Sequence, residues 1–161
     1  MPPNPPQPTQ MFLQALQGVL TQVADPNQVL RTILDQAVAQ TGADRGLFVE
    51  VSSDGGLQYQ VLHQYQGNEL SGQTGRFSRN LFARVLEEDE GVLLERALDD
   101  PQFRNAPSVQ VLLNSILCMP IRAGGRIVAL VHLENRRPGH FKEEHREALG
   151  ALLVTLQQVL A

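Results

Sequence analysis

The sequence predicts an α+β fold, one central antiparallel sheet of about five to six strands with terminal helices packed on one face and a short helix and long loop on the other. Three observations predict it. Both ends carry apolar residues at three- and four-residue steps, over 12–38 and 149–160. Two strand-like stretches are each broken by a glycine-containing turn, at 53–56 and 123–125, and strands joined by tight turns pair antiparallel. Between them lie a short helical pattern and a long irregular segment.

Residues 1–9 belong to a stretch, MPPNPPQPTQ, that holds Pro2, Pro3, Pro5, Pro6 and Pro8. It favours extended conformations and is read as a disordered arm ahead of one domain over 10–161; a proline-rich ligand is the sharper alternative. The first helix follows with Phe12, Leu13, Leu16, Val19, Leu20 and Val23. Asp25-Pro26 ends it and starts a second helix, with Val29, Leu30, Ile33, Leu34, Ala37 and Val38, that stops at Gly42. Alternation then predicts a strand over 45–52, a turn at Ser53-Asp54-Gly55-Gly56, and a more polar, edge-type strand over 57–65. Residues 67–76 read as a loop, after which Ser78 caps a short helix carrying Leu81, Phe82, Val85 and Leu86. A brief strand over 92–95 leads into the long connection 97–114, with a helical turn near 108–113; connections of this length are usually functional or mobile. SILCMPIR (115–122) and RIVALVHLEN (126–135) form the clearest hairpin, both strands apolar enough to be central. Pro138-Gly139 breaks the chain before a last helix over 142–160.

Composition narrows the function classes. The 161 residues are 42% hydrophobic and 19% charged, enough for a full core in one domain. A net charge of −4 argues against nucleic acid, whose phosphates call for a basic face. No run approaches the roughly 20 apolar residues of a membrane span, and no secretory pattern opens the chain, so no membrane partner and a cytoplasmic location are expected. Cys118 is the one cysteine, which excludes an internal disulfide, a cysteine-cluster metal site and two-thiol redox chemistry within one chain. His63, His140 and His145 lack metal-site spacing, no Ser-His-Asp motif assembles, and the glycines at 72 and 75 form no phosphate loop. No catalytic or metal-ligating residue is assigned, and no cofactor is identified.

Three segments in this order resemble a GAF domain over about 10–160: TGADRGLFVEV (41–51), ALDDPQFRNAP (97–107), and SILCMPIR followed by a glycine turn, RIVALVHLENRRPGHF and an acidic helix start. The resemblance implies a GAF/PAS-like sheet and a bacterial signalling role, distantly similar to the GAF domains of cyclic-nucleotide phosphodiesterases. That branch carries Asn-Lys, Phe and Asp-Glu after the last strand; here the positions read Asn135-Arg136, Phe141 and Glu144-His145. The resemblance thus implies a bracing ion pair, Arg136 to Glu144, with His145 a departure. It also puts His132 at a pocket-facing position, supports no bilin attachment at Cys118, and argues against methionine sulfoxide reduction, which takes several cysteines.

His132 sits inside the apolar strand VALVHLE. It is either a ligand hydrogen-bond donor (or axial haem ligand) or a buried histidine satisfied by a neighbour. A two-residue turn at Gly124-Gly125 places Leu117, Met119 and Ile121 on one face with Val128, Leu130 and His132, flooring a cavity. Phe77, Phe82, Val85, Phe103, Val109 and Leu113 would wall it, and Asp99 of the long connection would contact a polar ligand or serve as a turn residue; the alternative is a filled core. Cys118 then points to the opposite face, under the helices, as an unreactive hydrophobe.

The expected function is a non-catalytic sensor: a small-molecule effector binds between sheet and loops and the terminal helices relay the change. Phe12, Leu16, Leu153 and Leu156 would form a homodimer contact, as such helices do in the family. The rival is an interaction or dimerisation module of the same fold with no small ligand. An end inside an apolar helix is what a module excised from a longer regulator would show.

Overall fold

The computed structural model describes residues 26–52, 54, 56–63, 73–101 and 114–160. The proline-rich arm, the first helix with Phe12 and Leu16, and the part of the long connection holding Phe103, Val109 and Leu113 lie outside these residues.

Helix α1 spans Pro26–Thr41 and buries Leu30, Leu34 and Ala37, spaced to share one face. It stops where expected. Gly42 takes φ +71°, and its N–H and that of Ala43 both donate to the Val38 carbonyl, at 2.8 and 3.2 Å. Strand β1 (Arg45–Val51) follows, then β2 (Leu57–His63) after a turn in which Asp54 accepts the Gly56 N–H at 2.9 Å. Helix α2 covers Gln73–Glu88, longer than the sequence pattern suggests. Ser78 is therefore a buried residue inside the helix and not its cap. The polar residues before it form helix readily enough once Leu81, Phe82 and Val85 anchor the element on the sheet. Strand β3 (Val92–Leu94), a 3-10 turn at Ala97–Asp99, β4 (Ser115–Ala123), β5 (Arg126–Asn135) and helix α3 (Glu143–Leu160) complete the described chain.

All five strands join one antiparallel sheet in the order β2-β1-β5-β4-β3. The polar strand β2 is an edge, and β1 and β5 are central and buried on both faces, which is why they read as nearly continuous apolar runs. Gly124 and Gly125 have φ of +60° and +78°, as a two-residue type I′ turn demands.

The register does not follow from that turn alone. Ala123 pairs with Arg126 and Arg122 with Ile127, but Ile121 then pairs with Ala129, leaving Val128 as a bulge. One extra residue on β5 shifts every later pair by one and exchanges the faces. Cys118 consequently lies opposite His132, and Leu117 opposite Leu133. The expectation that Leu117, Met119 and Ile121 share a face with Leu130 and His132 is corrected accordingly, and so is the placement of Cys118 on the opposite face from His132.

The sheet separates two cores. On one side α1 and α3 pack over Phe48, Leu117, Ile121, Val131, Leu133 and Phe141, with Met119 half-buried at the margin. On the other, α2 brings Leu81, Phe82 and Val85 onto Leu47, Val49, Ile116, Cys118 and Leu130. Leu153 and Leu156, expected at a dimer contact, belong to the first core. Each buried leucine of this kind contributes roughly 2 kcal/mol through removal from water, so α3 is held to its own sheet.

Candidate functional site

Residues i and i+2 of a strand share a face, so Leu130, His132 and Glu134 of β5 all turn towards α2. The same periodicity and the β1–β5 register set Val49, Leu47 and Arg45 opposite them in turn. Phe82 of α2 lies over His132, ring centroids 4.9 Å apart and edge-to-face at 83°. His132 is fully buried. The result is a polar line set into an otherwise apolar layer.

Its members are ordered by charge. Arg45 Nε donates to Glu134 Oε2 at 2.7 Å, and a terminal guanidinium nitrogen forms an ion pair with the same oxygen, also at 2.7 Å. The other carboxylate oxygen, Oε1, lies 3.0 Å from His132 Nε2. Burial pushes the Glu134 carboxyl up. The hydrogen bond and attraction to the His132 imidazole, with attraction and hydrogen bonding to Arg45, outweigh that and bring it down to about 2. Glu134 is then ionised at neutral pH and only accepts, so Nε2 of His132 carries the shared proton. Nδ1 is left over. Among the described residues it is a buried side-chain nitrogen with no hydrogen-bond partner.

Of the residues predicted for a pocket, the structure brings together His132, Leu130 and Phe82. Leu117 and Met119 face α1 and α3, for the register reason given above. Asp99 is exposed in the 3-10 turn and salt-bridged to Arg96 at 2.7 Å, so it is a turn residue and not part of the buried layer around His132. Phe77 falls on α2 with its side chain outside the described set, like Phe103, Val109 and Leu113. Cys118 joins the His132 face, where burial pushes its thiol strongly up and keeps it protonated. Sequence reasoning missed Glu134 and Arg45. The two-residue spacing of His132 and Glu134 is a signal for the first; Arg45 depends on cross-strand register, which no local pattern supplies.

With this geometry, comparison with known proteins is informative. The model of the GAF domain family matches residues 23–161. The chain belongs to the GAF family. Among solved structures, this GAF domain is similar to that of a phosphoenolpyruvate-protein phosphotransferase from Coxiella burnetii, with 20% identity, a TM-score of 0.64, and 94% of each chain covered. The GAF domain of the phosphoenolpyruvate-protein phosphotransferase from Acinetobacter aligns with 17% identity and a TM-score of 0.65, over 93% of this chain and 90% of that one. A type II free methionine-R-sulfoxide reductase from Thermoplasma acidophilum shares the fold at 12% identity and a TM-score of 0.55, covering 81% and 94%. No curated protein sequence is significantly similar. At these identities the likeness is one of fold. GAF domains are common signalling modules of bacterial proteins.

The strap that follows β5 in this GAF domain is built differently from the expected ion pair. Among the described residues, Arg136 and Glu144 form no ion pair with each other; Glu144 is exposed in the first turn of α3, where a negative charge suits the helix dipole. The bracing comes from other groups. Asn135 Nδ2 donates to the Gly42 carbonyl at 2.7 Å, and its Oδ1 accepts the Arg137 N–H at 2.7 Å. The Arg136 N–H donates to Asp44 at 2.7 Å. Phe141 is buried, its N–H bonded to Ser115 Oγ at 3.0 Å. His145 replaces the family's acid and accepts the Lys142 N–H on Nδ1 at 2.9 Å, a capping contact at the start of α3. Asn135, Gly42, Asp44 and His140, with Arg136 and Arg137, line an open cleft of about 460 Å³ at this end of the sheet. Among the described residues no cluster of metal-ligating side chains occurs, and no helix is long and apolar enough to cross a membrane.

Proposed function

We propose that this GAF domain is a non-catalytic sensor that takes a small-molecule effector on the α2 side of its sheet, at His132. The observation that carries the reading is a fully buried imidazole, fixed through one nitrogen by Glu134 and Arg45 and, among the described residues, left unpaired at the other. The large majority of buried polar groups have a hydrogen-bond partner, so an unpaired one calls for an explanation, and a guest that completes it is one. The reactive alternatives are poorly supported: Cys118 lies opposite His132, but it is a fully buried thiol that burial keeps protonated.

The relay has a short path. Glu134 lies two residues beyond His132, and Asn135, next in sequence, ties the end of β5 to the end of α1 through Gly42. The same strap leads into α3. An effector shifts this arrangement only by preferring one state of it, since equal affinity for both shifts nothing.

Native mass spectrometry of the purified protein, followed by thermal-shift screening with nucleotides, amino acids and oxo-acids, tests the proposal. A bound species or a stabilising compound is expected, with the shift abolished in His132→Ala. A shift that survives His132→Ala removes the site. No bound species and no shift across the panel favour the interaction-module reading instead.

A further inference from the structure

The open cleft at the strap does not include His132, Glu134 or Arg45. Its backbone is held throughout. Arg136 donates its N–H to Asp44 Oδ2 and Arg137 to Asn135 Oδ1. Pro138 has no N–H to satisfy, Gly139 donates to the Glu95 carbonyl, and His140 to the Arg137 carbonyl. Phe141 and Lys142 donate to Ser115 Oγ and His145 Nδ1. The last carbonyls of α1 are occupied too, Thr41's by His140 Nε2 and Gly42's by Asn135 Nδ2, so N–H donors cover the negative end of that helix. Side chains on this strap therefore project from a fixed frame.

The charges of the lining set the kind of guest. Several arginines of this chain are tied to carboxylates, as Arg45 is to Glu134, Arg84 to Asp100, Arg96 to Asp99 and Arg122 to Asp89. Arg137 is not. It is exposed on the cleft, and among the described residues its guanidinium has no ion-pair partner. Arg136 adds a second guanidinium, and Asp44, held at the Arg136 N–H, is the opposing carboxylate. Two permanent cations thus face one carboxylate, in a chain of formal net charge −4. A guanidinium is a planar fork of donors that matches a carboxylate or phosphate. The cleft, about 460 Å³, is roomy enough for a small molecule, and its lining offers no aliphatic side chain to an apolar one.

We propose that this cleft is a second binding site, for a small polar oxyanion whose phosphate or carboxylate group is received by the Arg137 guanidinium with Arg136 beside it. The site is independent of the effector reading at His132. It lies on the strap between β5 and α3, where Asn135 and Arg136 tie that strap to the end of α1.

The full chain, labelled with ¹⁵N, is titrated at neutral pH with sodium phosphate, sodium succinate and glycerol, sodium chloride holding the ionic strength constant. Backbone amides of 135–140 and the arginine Nε–H signals report on the cleft. Phosphate or succinate should move them saturably and glycerol should not, and the tighter of the two anions tells which source of oxyanion the cleft prefers. Arg137→Gln keeps a polar side chain and removes the charge. It should melt with the parent protein, because the guanidinium has no partner to lose among the described residues. It should bind the anion about tenfold or more weakly, the loss of one charge-assisted hydrogen bond. Arg126, the exposed first residue of β5, lies outside the cleft, so Arg126→Gln should bind as the parent does. Equal weakening in Arg126→Gln would show attraction to surface charge in general and overturn the site. A response matched by added chloride, unchanged binding in Arg137→Gln, or no response to either anion overturns it as well. None of these outcomes touches the His132→Ala test of the effector site.

Discussion

At Glu134 two opposing electrostatic effects meet, and the outcome sets a pH dependence. Burial alone favours the protonated acid, but the imidazole and guanidinium around it favour the anion and hold its carboxyl near 2, below the ordinary 4.5. A carboxyl whose folded value lies below its unfolded one stabilises the fold above the unfolded value and loses that contribution as pH falls towards the folded one. The window is thus about pH 4.5 down to about 2, and the contribution at neutral pH is on the order of 3 kcal/mol. Glu134→Gln should lower the melting temperature at pH 7, and the gap to the parent protein should narrow as pH is lowered through that window. A gap independent of pH would show that Glu134 acts by packing and not by charge. His132 was legible in the sequence because a histidine inside an apolar run stands out. The pair that orders it was not, because Arg45 lies far from Glu134 along the chain and meets it only through strand register.

Elements follow the same division between local signals and long-range ones. Where a turn is dictated by its own residues, the sequence places it closely: α1 ends at Gly42, and β4 turns into β5 at Gly124-Gly125. Gly42 is required twice over. Its backbone is left-handed, and a Cβ there would stand 2.9 Å from His140 Nε2, which donates to the Thr41 carbonyl at 2.7 Å. Gly42→Ala should therefore destabilise by about 1–3 kcal/mol, read as a shifted urea midpoint with an unchanged slope. A loss of a few tenths would mean that the strap relaxes freely around this point. The Val128 bulge had no such local marker. Valine is an ordinary strand residue, and the extra position is inserted because the two cores on either side of the sheet each find apolar partners in that register. One unforeseen residue was enough to put Leu117 and Met119 on the wrong face and to hide Cys118 beside His132. Helix α2 shows the converse, since tertiary anchoring carries it into residues whose composition reads as loop.

For the molecule as a whole, both helical stripes and the single antiparallel sheet could be read from periodicity, but whether an apolar stripe faces the chain's own sheet or a second copy could not. The structure answers for α3. Leu156 is 6% exposed within the core shared with α1, whereas Val154, two positions away and on the outer side, is 50% exposed. A glutamate at 156 would bury a charge with no partner, among the most destabilising substitutions, at about 4 kcal/mol or more. Leu156→Glu is expected to unfold the domain, not merely to separate two copies of it, and circular dichroism together with a lost melting transition would register that. Val154→Glu removes little packing and should leave the melting transition nearly where it was, within about 0.5 kcal/mol. If copies pair through α3, sedimentation will show the Val154→Glu protein folded and monomeric while the parent protein is dimeric. A Val154→Glu protein that keeps the parent's mass places any pairing surface elsewhere, and a folded Leu156→Glu protein would contradict the packing of α3 on which the proposed relay from β5 depends.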